Sequence, residues 1–413
     1  MRLAGYRRFA LAACSSVFAI LVAACGSSNT TTGGSSPATV PSDLSISSFT
    51  ADFSYMPKLK DLVNAGHGKV GVLLPDTTTS GRYVSFDLPY LTKALQQAGY
   101  SSSDFTIENA QGQEQQELSQ AQALVTAGAS VLIMDPISSS VGSQIQSYAQ
   151  SHGVKVISYD RATFTGTNTY YVSFDNVQVG ELIGQGFVKC VTDWGVKNPQ
   201  VFELDGGQNS DPNAVDFAKG YNDAIWGSKT ANVASGTTKN GMTLVGEQVA
   251  TDWKNDVGQQ IFQQQFTAHS NINATVEAND GLGNAVVQVL KNKGIGAKKI
   301  PTTGQDATLD GMVNVLTGYQ CGSVYKPIYL EAQDAVALAT VLRAGQTPPQ
   351  GLLNGQTSPP SGVTGNTQPA SLLVPKWVDV SNMKDTVIAD QFIDKSALCS
   401  KAGAAACSAA GIS

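Results

Sequence analysis

The sequence predicts an α/β protein made of two doubly wound parallel-sheet lobes that are joined by a three-crossing hinge. From Lys69 onward, short apolar and β-branched runs alternate with longer amphipathic stretches, which is typical of βαβ units. The alternation occurs in two successive sets of about 100 to 150 residues each, too much chain for one sheet. The composition, 42% hydrophobic and 14% charged, is that of an ordinary globular protein.

The first lobe is predicted from four strands and the helices between them. The expected strands are residues 70–74, 105–108, 131–134 and 154–158. The expected helices are residues 86–99, 113–127 and 140–152. A glycine stands at the end of each helix, where its tolerance of the left-handed conformation stops the helix.

The second lobe repeats this rhythm after a crossing near Asp175. Its expected strands are residues 200–204, 243–250, 274–277 and 299–303, and its expected helices are residues 214–225, 256–267 and 283–293. A later helix, 328–344, and a strand, 372–374, must return to lobes already built. The segment 345–369 between them is rich in Gly, Pro, Ser and Gln, which predicts an exposed insertion loop.

These elements predict the domain boundaries. We expect a first lobe of residues 68–175 with 327–373, a second lobe of residues 176–326 with 374–398, and a cysteine-bearing tail of residues 399–413. The three hinge crossings are expected near Asp175-Asn176, Lys326-Pro327 and Leu373-Val374.

Residues 1–24 are expected to be an export signal, because three early arginines precede an apolar stretch over residues 9–24. A membrane-spanning anchor is disfavoured, since the stretch is shorter than the ~20 residues that a bilayer span needs. The run Val22-Ala23-Ala24-Cys25 resembles the bacterial lipobox, so we expect Cys25 to carry lipid and to anchor the chain at the cell membrane. Residues 25–48 are expected to form a flexible tether.

Charge and histidine content exclude other classes. The formal net charge is −6, and removal of the signal with its three arginines makes the chain more acidic, which disfavours nucleic acid as a partner. The histidines at 67, 152 and 269 are scattered and no CxxC occurs, so neither a metal site nor a cofactor is expected.

Four cysteines remain after Cys14 and Cys25 are set aside, an even number for an oxidising compartment. Cys399 and Cys407 are near each other in the tail and are the easiest pair to bridge, which leaves Cys190 with Cys321. The alternative is that Cys190 and Cys321 are buried thiols.

Polar and aromatic residues follow the predicted strands, where open parallel sheets bind their ligands. Carboxylates, guanidiniums and amides together suit a polyhydroxylated ring, because each sugar hydroxyl both donates and accepts a hydrogen bond. An aromatic ring covers the apolar face of a sugar. For any single aspartate, a helix-capping role is the simpler interpretation. The residues concerned are Arg82, Tyr83, Asp160, Arg161, Asp211, Asn213, Trp253, Asn279 and Asp306.

Six short motifs resemble a known family. They are Leu73-Leu74-Pro75-Asp76, Ser158-Tyr159-Asp160-Arg161, Val172-Ser173-Phe174-Asp175-Asn176, Ala278-Asn279-Asp280, Gly304-Gln305-Asp306-Ala307 and Val324-Tyr325-Lys326-Pro327. In this order and at these intervals they are similar to the bacterial periplasmic xylose-binding proteins of sugar ABC transporters, relatives of the ribose- and galactose-binding proteins. The resemblance runs from about Lys69 to Ala344.

The resemblance implies the type I periplasmic binding protein fold and a ligand-binding role for matching positions. The matching positions are Arg82, Asp160, Arg161, Asp211, Asn213, Trp253, Asn279, Asp306 and Lys326. Tyr83 stands where the family pattern has a tryptophan, which leaves the second stacking surface and the exact sugar open.

The expected function is that of a monomeric, extracytoplasmic receptor, not an enzyme. It would bind a monosaccharide, D-xylose first, and deliver it by cleft closure to the permease of an ABC importer. One alternative is a sensor that presents its sugar to a receptor kinase or chemoreceptor. A remote alternative is a secreted glycoside hydrolase, which needs two carboxylates ~5 to 10 Å apart across the scissile bond. A sugar-responsive transcription regulator is excluded by the export signal and by the absence of a helix-turn-helix before the first strand.

Overall fold

The structure is a computed structural model that describes residues 38–167, 169–360 and 362–412. The predicted signal, Cys25 and the first part of the tether lie outside the described residues. Within the described residues, no helix combines the length and the apolarity that a membrane crossing requires.

The described residues form strands and helices in the order that the sequence predicts for α/β units. The strands are β1 (Lys69–Leu74), β2 (Phe105–Asn109), β3 (Ala129–Met134), β4 (Lys155–Tyr159), β5 (Thr169–Phe174), β6 (Gln200–Gly206), β7 (Thr238–Lys239), β8 (Met242–Ala250), β9 (Ala274–Glu277), β10 (Ser323–Tyr325), β11 (Gly355–Thr357), β12 (Gln368–Leu373) and β13 (Lys376–Val378). The helices are α1 (Lys60–Ala65), α2 (Leu88–Ala98), α3 (Glu114–Thr126), α4 (Ser139–Ser151), α5 (Asn176–Asp193), α6 (Pro212–Trp226), α7 (Asn255–Ala268), α8 (Asp280–Asn292), α9 (Leu309–Leu316), α10 (Ile328–Arg343), α11 (Lys395–Ala402) and α12 (Ala404–Ala409).

The first lobe is built on a sheet with the strand order β11-β12-β5-β4-β3-β1-β2. All neighbours are parallel except the edge pair β11–β12. Val72 on β1 lies between Ile107 and Ile133 and belongs to the core that includes α2 and α10. Leu73 points to the opposite face, where it packs with residues of α3 and α4. Both faces are therefore covered, as a parallel sheet requires.

The second lobe is built on a sheet with the order β7-β8-β6-β9, in which β8, β6 and β9 are parallel. Helices α5 and α6 pack against each other at unusually short range because glycines face the contact. A Cβ on Gly220 would lie 2.2 Å from the carbonyl oxygen of Val177, and one on Gly180 would lie 2.0 Å from that of Phe217. These two glycines let the backbones of the helices touch.

Three chain crossings connect the two lobes. The chain passes from β5 to α5 at Asp175-Asn176, from β10 to α10 at Lys326-Pro327, and from β12 to β13 at Val374. Strands β10 and β13 pair with each other as a separate antiparallel ribbon beside the crossings. The crossings lie where the sequence predicted the hinge.

The predicted tether of residues 25–48 is wrong from residue 38 onward. Leu44 is 2% exposed and belongs to the core of the first lobe. The amide of Ile46 donates a hydrogen bond of 3.0 Å to the carbonyl of Gly351. The apolar residues in this stretch therefore dock onto the body, a tertiary effect that its polar composition conceals.

The predicted membership of residues 374–398 in the second lobe describes only part of their packing. Val387, Phe392 and Ile393 lie in one core with Phe86 of the first lobe and with Met312 and Val315 of the second lobe. The tail does not stand apart either, since Leu398, Cys407 and Ile412 are buried in that core. We call residues 379–412 the C-terminal segment.

The predicted strand 299–303 does not form. Pro301 has no amide hydrogen, and the amide of Thr303 donates to the Glu277 side chain at 2.8 Å instead of to a neighbouring strand. The segment 345–369 is not wholly an exposed loop, because Leu352 is buried and β11 extends the first sheet. Strand β5 and helices α5 and α9 were missing from the sequence-based assignment.

Within the part of the chain that the structure describes, two disulfides are present, Cys190–Cys321 and Cys399–Cys407. They are the two pairs that the spacing of the cysteines favoured. The first joins α5 to the loop before β10 and closes a sequence separation of 131 residues. The second joins α11 to α12 and closes a separation of 8 residues.

Candidate functional site

A cleft between the two lobes collects the polar residues that follow the strands. The cleft holds about 340 Å³ of empty space, including the part open to solvent. Its lining contains all ten residues singled out from the sequence: Arg82, Tyr83, Asp160, Arg161, Asp211, Asn213, Trp253, Asn279, Asp306 and Lys326. Four further residues also line it: Thr79, Ser80, Phe217 and Gln305.

Arg82 is held by three carboxylates. Its Nε and Nη2 donate to the two oxygens of Asp87 at 2.8 Å, Nη2 also donates to Glu331 Oε2 at 2.8 Å, and Nη1 donates to Asp160 Oδ1 at 2.6 Å. Burial alone would lower the pKa of Arg82, but Asp160, Asp87 and Glu331 raise it well above its ordinary value. The guanidinium is therefore a permanently charged, fixed plane in the wall of the cleft.

Asp160 connects the cations of the site to the opposite lobe. Its carboxylate lies 2.6 Å from Arg82 and 3.9 Å from Lys326 Nζ. Burial alone would raise the pKa of Asp160, but Arg82, Lys326 and Arg161 together lower it. Its backbone has a φ of 57°, and its carbonyl accepts a hydrogen bond of 2.6 Å from Asn213 Nδ2 in the second lobe. Asp160 is thus an ionised acceptor whose backbone conformation is strained.

Arg161 faces the other way and is fixed by neutral acceptors. Its Nη2 donates to the hydroxyl of Tyr83 at 2.8 Å, and Nη1 donates to the carbonyls of Pro136 and Ile137 at 3.1 Å. Its Nε lies 3.6 Å from Asp211 Oδ2 of the second lobe. Burial raises the pKa of Asp211, and the charge of Arg161 opposes that rise. Tyr83, which replaces the tryptophan of the family pattern, thus orients an arginine of the cleft.

The indole of Trp253 lines the cleft on the side of the second lobe. Its indole Nε1 donates to Asp211 Oδ2 at 3.1 Å, and its ring lies against the backbone of Gly206 and Gly207. A Cβ at either glycine would come within 2.0 Å of the indole. Phe217 on α6 lies beside it, with ring centroids 6.2 Å apart. The φ of Trp253 is 61°, so its side chain reaches the cleft from a strained turn.

Asp306 and Lys326 form an ion pair in the cleft, in which Lys326 Nζ lies 3.0 Å from Asp306 Oδ1. Burial alone would lower the pKa of Lys326, but the neighbouring Asp306 and Asp160 raise it. Asp306 has a φ of 91°. Its other oxygen accepts a hydrogen bond of 3.2 Å from the hydroxyl of Ser80 in the first lobe.

Some predicted site residues also have the capping role that was the simpler interpretation. Asp211 accepts the amide of Asn213 at 2.9 Å at the start of α6, and Asn279 accepts the amide of Leu282 at 2.9 Å at the start of α8. The two roles coexist, because one oxygen caps the helix while the side chain still lines the cleft. The N-termini of α6 and α8 thereby point at the same space.

The lobes are closed on each other. Besides Ser80–Asp306 and Asn213–Asp160, the amide of Ser139 donates to the carbonyl of Ser210 at 2.9 Å. These bonds join residues of opposite lobes at several places around the cleft. The structure is therefore the closed conformation of a hinged pair.

Sequence reasoning missed the supports of the site as well as part of its lining. Thr79 and Ser80 lie in the same loop as Arg82, Gln305 precedes Asp306, and Phe217 lies one helical turn after Asn213, so proximity could have found them. Glu331 comes from α10, far along the chain from Arg82, and no local signal marks it. In the residues that the structure describes, no group of His, Cys, Asp and Glu is arranged to hold a metal ion.

Comparison with known proteins agrees with this architecture. The family model described as a periplasmic binding protein domain matches residues 70–347. The D-xylose-binding periplasmic protein of Escherichia coli K12 is 33% identical over 71% of this chain and 82% of its own length. The multiple sugar-binding periplasmic receptor ChvE of Rhizobium radiobacter is 29% identical over 78% of this chain and 90% of its own length.

Solved structures support the fold. A carbohydrate transporter solute-binding protein of Chloroflexus aurantiacus, in complex with D-glucose, has a TM-score of 0.66 at 24% identity and covers 79% of this chain and 97% of its own. An ABC transporter solute-binding protein of Clostridium phytofermentans, with bound β-D-glucose, has a TM-score of 0.67 at 23% identity and covers 80% and 99%. Two hinged lobes, a lined cleft between them and a family model that spans most of the chain lead to one conclusion: this chain belongs to the periplasmic binding protein family.

Proposed function

We propose that the protein is an extracytoplasmic, monomeric sugar receptor that captures a monosaccharide, D-xylose first, and delivers it to an ABC importer by closure of the cleft. The observation that carries the proposal is the composition of the cleft. Three carboxylates, three cations, three amides and three aromatic rings line it together.

This combination of groups matches the chemistry of a sugar ring. Asp160, Asp211 and Asp306 offer acceptors, while Arg82, Arg161 and Lys326 offer donors, so each hydroxyl can give its proton to one group and accept from another. Charged partners make these hydrogen bonds strong, and the ion pairs keep the empty site from holding a lone buried charge. The indole of Trp253 and the ring of Phe217 suit the apolar C–H face of a pyranose.

The named relatives favour a small sugar as the ligand. The relative at 33% identity is named as a D-xylose-binding protein, and others at 29% are named as multiple sugar-binding proteins. D-xylose is therefore the first choice, with other pentoses and hexoses as the competitors.

Closure follows from the division of the site between the lobes. Arg82, Asp160 and Arg161 belong to the first lobe, and Asp211, Trp253 and Asp306 reach the cleft from the second. A ligand that contacts both sets binds the closed form more tightly than the open form, and so shifts the population toward closure. The closed, loaded receptor is the form that a permease would recognise.

The hydrolase alternative loses support. Asp160 and Asp306 each make an ion pair within the cleft, and Asp211 caps a helix and accepts from Trp253. These carboxylates are engaged as fixed acceptors. The family and the named relatives are binding proteins and receptors, which agrees with the prediction that the chain is not an enzyme.

Isothermal titration of a chain that begins at Ala38 tests the sugar. We expect saturable heat with D-xylose and weaker heat with D-ribose, L-arabinose, D-glucose and D-galactose. Asp306→Asn is the matched negative control, because it keeps the shape of the side chain but removes the charge that pairs with Lys326. A panel in which no monosaccharide binds would refute the proposal, and tighter binding of a hexose would refute the choice of xylose.

We also propose that Cys25 carries the lipid that keeps the receptor at the membrane. Export of the full chain in a bacterial host, with metabolic labelling by a fatty acid, is the test. The parent should be labelled and sediment with membranes, whereas Cys25→Ser should be unlabelled. Equal labelling of the two chains would contradict the assignment.

A further inference from the structure

The C-terminal segment, residues 379–412, packs against parts of both lobes. The matched family region ends at residue 347, so this segment lies beyond it. Phe392 stacks on Phe86 of the first lobe, with ring centroids 4.0 Å apart and an interplanar angle of 17°. In the second lobe, helix α11 packs on α9, and Lys401 Nζ lies 2.8 Å from Asp310 Oδ1.

The chain pieces that it contacts are the ones that carry the cleft. Phe86 lies in the helical turn Tyr83–Asp87, which contains Tyr83 and the carboxylate of Asp87 that fixes Arg82. A shift of Phe86 would therefore move the Arg82 wall of the cleft.

The C-terminal segment also contacts β10, the strand that leads into the crossing at Lys326-Pro327. Phe392 also meets the ring of Tyr325 edge to face, with centroids 4.8 Å apart, and Asp390 accepts a hydrogen bond of 3.0 Å from the hydroxyl of Tyr325. Tyr325 directly precedes Lys326. Asp306, on another part of the cleft wall, lies three residues before the start of α9. Leu398 of α11 packs with residues of α9 in the same core.

We propose that Phe392 is a positioning residue for the sugar site, and that the C-terminal segment braces the cleft-lining pieces of both lobes in the binding geometry. This inference rests on the proposed function. The brace is internally fixed: Asp394 caps α11 by accepting the amide of Ala397 at 2.6 Å, and the Cys399–Cys407 disulfide ties α11 to α12. Phe392 is 4% exposed, so its contacts are packed contacts and not surface encounters.

The test compares Phe392→Ala with Phe262→Ala. Phe262 is also a buried aromatic residue, and it packs on Phe266 in the second lobe with ring centroids 5.2 Å apart, within α7. Both variants lose an aromatic contact and should have a lower Tm than the parent. Titration with D-xylose, well below the Tm of either variant, should show about tenfold weaker binding for Phe392→Ala, as expected for the loss of an aromatic pair. Phe262→Ala should bind like the parent.

Phe392→Leu keeps the proposal testable if the alanine variant does not fold. It retains the apolar volume but loses the ring stack, so its affinity should lie between that of the parent and that of Phe392→Ala. Parent-like affinity in a folded Phe392 variant, or an equal loss in Phe262→Ala, overturns the brace. Failure of the parent to bind any sugar would refute the proposed function instead, so the two failures are distinguishable.

Discussion

The hydroxyl of Ser80 and the carboxylate of Asp306 meet across the cleft at 3.2 Å, although 226 positions separate them in the chain. Ser80 follows the first strand of one lobe, and Asp306 lies in the other. The bond exists only while the lobes are together, so it contributes to the closed form and not to either lobe alone. Contacts of this kind set how readily the empty receptor closes.

Ser80→Ala should weaken sugar binding by about tenfold, because a hydrogen bond to a charged group contributes roughly 1.5 kcal/mol. Within the first lobe, Ser80 Oγ also accepts the amide of Arg82 at 3.3 Å, so a small fall in the Tm of the empty protein should accompany the weaker binding. Titration calorimetry measures the effect, and Ser85→Ala, an exposed serine of the same region, is the control. Identical affinities in the two variants would show that the Ser80 bond does not assist closure.

Gly206→Ala should displace the indole of Trp253 and reduce sugar affinity at least tenfold. A Cβ at this position would lie 2.0 Å from Trp253 Cε3, so the indole or the strand would have to shift to make room for it. Gly246 on the neighbouring strand is the matched control, because a Cβ there would have its nearest neighbour, Phe202, at 3.9 Å. Sugar-induced change of tryptophan fluorescence and titration calorimetry would report both. Unaltered binding by Gly206→Ala would show that the site does not need the indole.

The two disulfides should differ in how much they stabilise the fold. In the chain-entropy model, a loop of 131 residues contributes about 5 kcal/mol and a loop of 8 residues about 2.5 kcal/mol. The double variant Cys190→Ser/Cys321→Ser should therefore unfold at a lower temperature than Cys399→Ser/Cys407→Ser. Calorimetric melting of both against the parent gives the order, and the reverse order would contradict it.

Stability should fall as the pH rises from about 4.5 toward 8, partly through Glu203. Burial raises the pKa of Glu203 from 4.5 to about 8, and Glu247 directly opposite on β8 adds to the rise. A group with a raised pKa in the folded state binds its proton more tightly than the unfolded chain does. Its stabilisation is complete below pH 4.5 and is lost as the pH rises toward 8, by up to about 1.4 kcal/mol per pH unit.

Glu203→Gln removes this part of the dependence, since an amide resembles the protonated acid and can still accept the 2.6 Å hydrogen bond from Trp226 Nε1. Melting temperatures at pH 6 and pH 8.5 provide the check. The Tm of the variant relative to that of the parent should be higher at pH 8.5 than at pH 6. The same Tm difference at both pH values would argue against a raised pKa at Glu203. Asp205 and Glu247 also have raised pKa values, so some pH dependence should remain.

The sequence predicted the cleft well because one rule covers most of it. In a parallel sheet, residues after the strands gather at one edge. Asp160 and Arg161 therefore lie at that edge of the first sheet and Asp211 at that edge of the second, and both edges face the cleft. Glu331 could not be found this way, since it lies within a helix and its role depends on how α10 packs against Arg82. Phe392 escaped for the same reason, because only tertiary packing brings the C-terminal segment back to the cleft.

Two errors of the sequence-based assignment have physical causes that local pattern does not show. Composition predicted a tether up to residue 48, but a single apolar residue such as Leu44 docks when a core surface is available to receive it. The predicted strand 299–303 failed because Pro301 interrupts the donor pattern and the Glu277 side chain takes over a backbone partner. Local pattern cannot foresee which partner wins when side chain and backbone compete.

Asp160, Trp253 and Asp306 all have left-handed backbones, and this restricts attempts to retarget the receptor to another carbohydrate. Branched side chains such as valine, isoleucine and threonine are poorly tolerated in that conformation, so each such substitution at these three positions should cost about 1–2 kcal/mol of stability. Tyr83 and Phe217 lie on helical backbone and line the same cleft. Substitutions at these two positions therefore place no residue in a strained backbone conformation. New selectivity is best sought by reshaping these rings, with the three constrained positions left as they are.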